Sequence, residues 1–436
     1  MNLNNLKSLL SANGCKNIYL KKLSPNDNSK NQVYLGGGFD ILNIFPISDI
    51  ISVPKGKWIR DRFTATIRFS WITDDGRLVQ ADHSQFILYP KYPEVRFSGF
   101  LRNCPDAPSE LMKSREEGRI LFLAVTADGR VLGHVVDGTS ELAGEFLTLS
   151  NLPTHGLFSI IEIENRTENR LRLLSEMHRI HNLGWIDSVR LKSTGELIPC
   201  NSPNCGGYTL EAELGVLPNG FSEPDYLGWE IKQFSARNFE RFGGEVLTLM
   251  TPEPTHGYYK ISGVEAFVRK YGYTDKKGRE DRLNFGGNYR VGKERSTTDL
   301  RLMLTGFDSE TKKITSSEGR IGLVDESGNE AASWSFASLL KHWNRKHNLA
   351  CYVPSQKRKD ALQQQYRYGN NLILGTGTDF ILFLEQMNLG HIYYDPGIKL
   401  ENASTHPTTK RRSQFRMTSC YLPELYYSHE FVDISK

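Results

Sequence analysis

The sequence contains no long hydrophobic run. No stretch of about eighteen consecutive apolar residues occurs in its 436 residues, which excludes a transmembrane helix. The N-terminal stretch MNLNNLKSLLSANGCKN also lacks the apolar core of a secretory signal peptide. We therefore expect a cytoplasmic protein that neither spans a membrane nor is exported by that route.

The chain also has few cysteines and a small net charge. The six cysteines are scattered without the pattern of a disulfide framework, which favours free thiols in a reducing compartment. Cys200 and Cys205 could form half of a zinc site, but no second pair at ligand spacing accompanies them, so zinc is not predicted. The formal net charge is only +4, so any affinity for nucleic acid must come from local basic clusters.

Residues 1–150 are dominated by short strand-like segments separated by turn signals. These segments are NIYLKKL, NQVYLGG, FTATIRFSWI, SQFILY and ILFLAVTADGRVLGHVV. In the last of them, Asp128-Gly129 fits a tight hairpin turn. Many short strands at this spacing are typical of a barrel or sandwich, so we predict an all-β domain over 1–150, followed by a linker over 151–167.

Residues 168–436 have a mixed α and β pattern. The stretch RLLSEMHRIHNLGW shows apolar residues at helical spacing and is predicted to end at Gly184. The stretch SWSFASLLKHWNRKHN, from Ser333, is predicted to form a second helix with Phe336, Leu339 and Trp343 on one stripe. An α/β domain is therefore predicted to follow the linker.

One short window of this second domain gathers several charged residues. GYTLEAELG predicts a helix that carries Glu211, and YLGWEIKQF predicts a strand after Pro224 and Asp225. In that strand Leu227, Trp229 and Ile231 would share one face, and Glu230 and Lys232 the other. Carboxylates and a lysine at the start of a strand, here in a PD-(D/E)xK arrangement, suit Mg²⁺-dependent phosphodiester hydrolysis. A solvated sheet edge is the alternative for the bare motif.

The surrounding segments resemble a known family. GGYTLEAELG, PDYLGWEIK and GGEVLTLMTPEP are similar to motifs of the MvaI/BcnI restriction endonucleases and, more distantly, of the MutH mismatch-repair nickase. NEAASWSFASLLKHWNRKHNLACYVP and GHIYYDPGIKLENASTHPTTKRRSQFRM extend the likeness over about 168–436. The resemblance implies an α/β PD-(D/E)xK restriction-endonuclease-like fold with Mg²⁺ as cofactor. It also implies that Asp225 and Glu230 ligate the metal, that Lys232 is catalytic and that Glu211 assists.

The N-terminal part resembles a different protein module. NIYLKKLSPNDNSKNQVYLGGGFDILNIFP is similar to the start of the effector-binding domain of EcoRII, a B3-like pseudobarrel whose two arms grip the DNA major groove. The arms would be 21–32 and 89–102, with side chains suited to phosphates or base edges. The alternative is that these are ordinary polar loop residues. The candidates are Lys22, Asn26, Asn28, Lys30, Gln32, Lys91, Glu94 and Arg96.

Two further segments are candidates for DNA contacts in the nuclease-like domain. Residues 402–423 contain no acidic residue, and a basic block of this kind neutralises phosphates in a salt-dependent manner. The segment LNFGGNYRVGKERSTTDL combines a flexible Gly286-Gly287 pair with basic residues and could enter a groove. The alternatives are a solvated basic tail and a plain surface hairpin. The candidates are Arg290, Lys293, Arg295, His406, Lys410, Arg411, Arg412 and Arg416.

These observations predict a type II (type IIE-like) restriction endonuclease. It would hydrolyse double-stranded DNA at a short sequence of the CC(A/T)GG type with Mg²⁺. The expected partner is double-stranded DNA, engaged at up to two sites at once by a monomer with no membrane contact, and a methyltransferase would share the target site. One alternative is a MutH-like strand-specific nickase. Another is a DNA-binding regulator with an inactive nuclease domain.

Overall fold

The chain divides into two compact units, Met1–Asn169 and Arg170–Lys436. The computed structural model describes residues 1–25, 31–56, 60–163, 166–217, 224–240, 243–295, 297–359 and 363–435. Among the described helices, none is long and apolar enough to cross a membrane.

The first unit is mainly β-structure. A 3₁₀ turn lies at Phe39–Asn43. The helices are α1 (Leu3–Ala12), α2 (Ser109–Lys113) and α3 (Glu141–Thr148). The strands are β1 (Asn17–Lys22), β2 (Val33–Gly36), β3 (Ile50–Val53), β4 (Arg62–Thr66), β5 (Phe69–Ile72), β6 (Leu78–Gln80), β7 (Gln85–Tyr89), β8 (Glu94–Ser98), β9 (Ile120–Val125), β10 (Val131–Val136), β11 (Thr154–His155) and β12 (Phe158–Glu162).

Two sheets organise this unit. One has the order β11-β12-β1-β9-β10-β5-β6 and the other β2-β8-β7-β4-β3. The central strands β9 and β10 are buried along almost their whole length, which explains their continuous apolar sequence. On one face of the larger sheet, Ile18 and Phe122 pack in one core with Leu6 of α1 and Leu142 of α3. The predicted strands and the Asp128-Gly129 turn are confirmed, with Gly129 at φ +77°.

Two expectations for this unit are corrected. The unit is not all-β, because α1, α2 and α3 accompany its strands. Helix α1 begins where the Asn2 side chain accepts a hydrogen bond from Asn5 N, and Leu3, Leu6 and Leu10 are buried on one face. The segment predicted as a linker also contains β11 and β12. Strand β12 pairs antiparallel with β1, and its apolar residues Phe158, Ile160 and Ile161 are buried.

The second unit combines several small sheets with helices. The helices are α4 (Arg166–Asn182, which begins just before the unit boundary), α5 (Cys205–Glu213), α6 (Tyr258–Tyr271), α7 (Phe336–His347), α8 (Phe380–Asn388) and a 3₁₀ helix at Ser419–Leu425. The strands are β13 (Ile186–Asp187), β14 (Val189–Leu191), β15 (Leu197–Pro199), β16 (Glu230–Ser235), β17 (Val246–Met250), β18 (Tyr273–Thr274), β19 (Arg282–Gly286), β20 (Glu294–Arg295), β21 (Leu300–Thr305), β22 (Phe307–Asp308), β23 (Lys313–Ile314), β24 (Arg320–Val324), β25 (Glu330–Ser335), β26 (Leu349–Lys359), β27 (Gln364–Tyr368), β28 (Asn371–Thr376), β29 (Ile392–Tyr394), β30 (Gly397–Glu401), β31 (Thr408–Lys410), β32 (Phe415–Thr418) and β33 (Ser428–Asp433).

The sheet that carries the charged window is built around β26. Its order is β13-β27-β26-β28-β33, and β16 joins it by pairing in parallel with β26. Ile231 of β16 and Cys351 of β26 pack in one core with Leu173 of α4 and Leu210 of α5. Glu230 and Lys232 alternate with Ile231, so their side chains leave the opposite face of the sheet.

The predicted helices of this unit are found with one change of boundary. Helix α4 is followed by Gly184 at φ +68°, as expected for a helix that ends at glycine. The helix predicted from Ser333 begins at Phe336 instead, because Ser333 and Trp334 belong to β25 and pair with β24. The Trp334 indole donates to Pro252 O at 2.9 Å, which fixes this buried strand end.

The prediction of free thiols is wrong for one cysteine pair. Cys200 and Cys205 form a disulfide in the structure, whereas the described Cys15, Cys104, Cys351 and Cys420 are free. The pairing follows from local geometry. Residues 201–204 turn directly into α5, which places the Cα atoms of the two cysteines 5.8 Å apart, within the usual disulfide range.

Candidate active site

A tight turn places Asp225 beside the start of β16. Tyr226 and Trp229 exchange backbone hydrogen bonds of 2.9 and 2.8 Å around Leu227 and Gly228, which have φ values of +49° and +87°. Two consecutive positive φ values are typical of a type I′ turn, and a non-glycine residue there is strained by about 1 kcal/mol or more. The predicted strand therefore begins at Glu230, and Leu227 lies in the turn rather than on the strand face.

This turn fixes the carboxylate of Asp225. Its Oδ2 accepts a hydrogen bond of 2.9 Å from the backbone N–H of Ile231. Burial, then the negative charge of Glu230, raises the pKa of Asp225 to about 6. The charged form of a carboxylate is destabilised when a second carboxylate lies nearby. A cation bound by both carboxylates would remove that destabilisation.

Glu230 and Lys232 form a close pair. Glu230 is 1% exposed, and its Oε1 accepts a hydrogen bond of 2.6 Å from Lys232 Nζ, whose side chain is 23% exposed. Burial opposes the ionisation of both groups. Their mutual attraction outweighs it, so the pKa of Glu230 is lowered and that of Lys232 is raised. Both side chains are therefore charged at neutral pH.

Glu211 belongs to the same electrostatic group. It lies half-buried in the last turn of α5, which ends at Glu213. Burial, then the negative charge of Asp225, raises the pKa of Glu211 to about 7, against the opposing effect of Lys232. A carboxyl group with this pKa can accept or release a proton at neutral pH.

Two residues of the site lie at the end of α7 and were not found from the sequence. Lys346 Nζ is 3.4 Å from Glu230 Oε1, so Glu230 has a second cationic partner. His347 is 1% exposed and stacks on Trp343 with a ring separation of 4.3 Å. Burial, then the positive charge of Lys232, lowers the pKa of His347 to about 3, so its ring is neutral.

In the sequence, the only feature that pointed to a role for Lys346 and His347 in the site was their position just before β26. Strand β26 aligns Ala350 with Glu230 in parallel register, which brings the end of α7 to the site. The pairing of β16 with β26 joins segments more than a hundred residues apart. Neither segment by itself identifies the other as its partner.

The donor set of the site fits a hard divalent cation. Glu230 Oε2 is buried and has no hydrogen-bond partner among the described residues. Three or more acidic, histidine or cysteine side chains do not converge as a ready metal cage anywhere in the described parts of the chain. Mg²⁺ is usually held by one or two carboxylates, with water and substrate phosphate completing its shell, so Asp225 and Glu230 suffice.

The basic segment near the C-terminus is less free than its sequence indicates. Asp395, which is buried, lies 2.6 Å from Arg416 Nη1 and 3.8 Å from Arg412 Nη2. Glu401 lies 2.9 Å from Lys410 Nζ. Acidic residues from just before the acid-free stretch therefore neutralise part of its charge. His406 and Arg411 are exposed.

The second basic segment is also more constrained than predicted. Arg290 donates to Gly390 O and lies 4.4 Å from the centre of the Tyr393 ring. Gly287 has φ +129°, and a Cβ there would overlap the guanidinium of Arg295. Gly287 thus allows close packing of the Arg295 side chain, and the flexibility of the glycine pair stays a prediction. Lys293 is exposed.

In the first unit, the structure brings together only some of the predicted DNA contacts. Arg96 donates to Gln32 Oε1 at 3.3 Å and lies 3.0 Å from Glu94. Lys22 and Lys91 are exposed, each with its ammonium 5.9 Å from an aromatic ring centre. Asn26, Asn28 and Lys30 lie outside the described residues.

The structure thus places a buried carboxylate–lysine pair beside a second fixed carboxylate. The chain belongs to the MvaI/BcnI restriction endonuclease family, whose model matches residues 174–426. The resemblance predicted from the motifs of the second unit is thereby confirmed.

Three solved structures are similar to the chain. MvaI in complex with its cognate DNA substrate is 17% identical, with a TM-score of 0.46, 62% of this chain covered and 100% of that one. MvaI without DNA is 18% identical, with a TM-score of 0.34 and coverages of 62% and 99%. The B3 domain of the UbaLAI restriction endonuclease with cognate DNA is 21% identical, with a TM-score of 0.24 and coverages of 36% and 96%. No curated protein matches the chain.

Proposed function

We propose that the protein is a type II, type IIE-like restriction endonuclease that hydrolyses both strands of DNA at a short CC(A/T)GG-like sequence with Mg²⁺. Family membership supports a DNA nuclease. The single observation that carries the catalytic assignment is the buried pair of Glu230 and Lys232, 2.6 Å apart beside Asp225.

Asp225 and Glu230 would hold the metal. When bound, Mg²⁺ would polarise the scissile phosphate and acidify a bound water. Oε2 of Glu230, which has no hydrogen-bond partner among the described residues, and Oδ1 of Asp225 would be the donors for it, since Oδ2 of Asp225 already accepts from Ile231 N. The carboxylates of Asp225 and Glu230 repel each other, and a bound cation would neutralise that repulsion. This is the physical reason that the pair would bind a cation.

Lys232 would orient the nucleophile and stabilise negative charge on the phosphate. Its ammonium is held by Glu230 at 2.6 Å, so little reorganisation is required when charge develops. Lys346, at 3.4 Å from the same carboxylate oxygen, would add a second positive charge on this side. His347 is a positioning residue, because its buried neutral ring packs on Trp343 next to these charges.

Glu211 would take the proton of the attacking water. In the reaction, a water oxygen forms a bond to phosphorus and the bond from phosphorus to the leaving sugar oxygen breaks. The proton removed from water needs an acceptor, and a carboxylate with a pKa of about 7 is matched to this task near neutral pH. The products are one phosphate end and one hydroxyl end.

The basic residues of both units would contact DNA. In the second unit, the exposed Lys293, His406 and Arg411 would meet phosphates, while Arg412 and Arg416, held by Asp395, would present fixed guanidinium groups. In the first unit, Gln32, Glu94 and Arg96 would belong to a second DNA-reading surface. The protein would act as a monomer able to hold two DNA sites, and a methyltransferase would share its target.

The test is digestion of a sequenced plasmid with the full-length protein. With Mg²⁺ we expect linear fragments whose ends map to one short sequence, and with EDTA no cleavage. Ends that are scattered over the plasmid would contradict site specificity, and undiminished cleavage in EDTA would contradict the metal assignment.

A further inference from the structure

The disulfide of Cys200 and Cys205 joins the end of β15 to the first turn of α5. Cys200 directly follows β15 and exchanges two hydrogen bonds with Ser188: its N–H donates to Ser188 O at 2.8 Å, and Ser188 Oγ donates to Cys200 O at 2.7 Å. Cys205 is the first residue of α5. The bond therefore ties a fixed segment to the start of the helix that carries Glu211.

Helix α5 has little stability of its own. It is only 9 residues long, which is shorter than an isolated helix needs to be in water. Gly206 and Gly207 lie in its first turn, and glycine is a poor helix former. The Asn204 side chain, at the N-cap position, makes no capping hydrogen bond within the described part of the chain. The position of α5 therefore depends on its attachments to the rest of the unit.

The first turn of α5 is coupled to the carboxyl group of Glu211. Gly206 packs closely on β16, because a Cβ there would lie 2.7 Å from Gln233 Oε1. A Cβ on Gly207 would lie 3.9 Å from Glu211 Oε1, so the Glu211 carboxyl group lies over the first turn. A displacement of this turn would therefore move the Glu211 carboxyl group relative to the proposed metal ligands.

The surroundings of the sulfur atoms favour thiol exchange. Cys205 Sγ accepts a hydrogen bond of 2.9 Å from Ser202 N, and the start of a helix stabilises negative charge. Both effects stabilise a thiolate at Cys205, which makes it a good leaving group. The covering residues 201–204 are exposed. The two cysteines are only 5 residues apart in sequence, so their bond constrains the unfolded chain little. These features are typical of a reducible disulfide.

We propose that the disulfide of Cys200 and Cys205 is a redox-sensitive lock that positions Glu211, and that its reduction by a dithiol slows DNA cleavage. The inference rests on the proposed function, in which Glu211 accepts the proton of the attacking water. One thiolate of the reductant attacks Cys200 Sγ, the disulfide bond breaks and Cys205 leaves as a thiolate. The second thiol of the reductant then displaces Cys200 from the mixed disulfide. The protein gains two electrons and two protons, and the reductant becomes a cyclic disulfide.

Reduction should shift α5 without unfolding it. Cys200 and Cys205 are buried in one core with Leu210, and two thiols need more room than one disulfide in a close-packed interior. Thr209 Oγ1 still accepts from Val189 N and donates to Val189 O, both at 3.1 Å, so the helix keeps non-covalent attachments. A misplacement of about 1 Å in an active site costs roughly a hundredfold in rate, which bounds the expected effect.

The experiment follows cleavage and free thiols together in the full-length protein. Wild type, Cys205→Ser, Cys420→Ser and Glu211→Gln are equilibrated in glutathione mixtures of increasing oxidised fraction, with dithiothreitol as the fully reduced end point. Cys420 is an exposed free cysteine, which makes Cys420→Ser the matched control. Peptide mass spectrometry after thiol labelling counts the free thiols at each cysteine. Single-turnover cleavage is measured with Mg²⁺, the affinity for a cognate duplex without metal, and hydrogen exchange of the α5 amides without DNA.

We expect the wild-type cleavage rate to fall roughly ten- to hundredfold as the two thiols appear, with the same midpoint for both signals. The rate should recover on reoxidation, and the affinity for DNA should stay unchanged. Cys420→Ser should respond like wild type, while Cys205→Ser should be slow throughout. Glu211→Gln is slow already, and reduction should slow it little further, because both changes act through the same carboxyl group.

Three results would overturn the inference. They are a wild-type rate that does not follow the thiol count, a pair that stays reduced in fully oxidised glutathione, and a loss on reduction that is equally large in Glu211→Gln. The last would make the disulfide a general structural support. Site-specific cleavage that persists with any of these results leaves the proposed function intact. Faster exchange of the α5 amides on reduction, in a protein that cleaves no DNA in either state, would refute the proposed function and not the lock.

Discussion

Replacing Asp225 by asparagine should stabilise the metal-free protein while abolishing cleavage. The pKa of Asp225 rises from an ordinary 3.8 to about 6, mainly because of burial and then because of Glu230. A difference of this size corresponds to about 3 kcal/mol of unfavourable free energy when the group is ionised. Asparagine keeps an oxygen that can accept the hydrogen bond from Ile231 N, so the turn should remain intact.

The stabilisation should depend on pH in a defined direction. Because the pKa of Asp225 is raised on folding, the folded protein binds more protons than the unfolded chain between about pH 4 and pH 6. The penalty in wild type is therefore absent below the ordinary pKa and complete above the raised one. The free energy of unfolding of Asp225→Asn should exceed that of wild type by up to about 3 kcal/mol at pH 8, and the two should converge near pH 4.

Metal provides the second half of this test. Mg²⁺ that binds only the folded state adds about 2.7 kcal/mol to stability at a hundredfold excess over Kd. We expect this gain for wild type and a much smaller one for Asp225→Asn, measured by urea unfolding with and without Mg²⁺. Destabilisation of Asp225→Asn at pH 8, or an equal response of both proteins to Mg²⁺, would refute the assignment of Asp225 as a metal ligand.

Three further predictions concern the remaining parts of the molecule. Lys346→Gln should slow cleavage roughly ten- to hundredfold without weakening DNA binding, as expected for loss of transition-state charge stabilisation, whereas Lys341→Gln on the same helix should not. The single-turnover cleavage rate should rise through about pH 7 as Glu211 ionises, and Glu211→Gln should be slow with a flat profile while Glu213→Gln keeps the rise. Plasmids with two target sites should be cut at a different rate from those with one, and Arg96→Ala should remove that difference, since linked binding surfaces raise the effective DNA concentration.

Local patterns in the sequence were sufficient to predict the elements that hold the main proposed catalytic groups. Helix α5 and strand β16 follow from the spacing of Leu210, Leu214 and Ile231, because a helix and a strand each bury one face. The charged residues of the window could therefore be placed at a strand start. The high strand content of the first unit could be predicted for the same reason.

Features that depend on long-range pairing could not be derived from the sequence. The contribution of Lys346 and His347 requires the parallel register of β16 and β26, and the neutralisation of Arg416 requires Asp395 to fold back on it. The turn at Leu227 was also missed, since a leucine at positive φ is not favoured by local propensity. The disulfide of Cys200 and Cys205 depends on how the chain enters α5.

The central claim is that the site around Glu230 and Lys232 cuts both strands of DNA, and a plasmid carrying one CC(A/T)GG site tests it most directly. With Mg²⁺, the wild-type protein should convert supercoiled plasmid into a linear form with ends at that site. Lys232→Ala should bind the same DNA but leave the plasmid supercoiled. A wild-type product that stops at the nicked circle would instead indicate a strand-specific nickase, and cleavage by Lys232→Ala at the wild-type rate would contradict the assigned site.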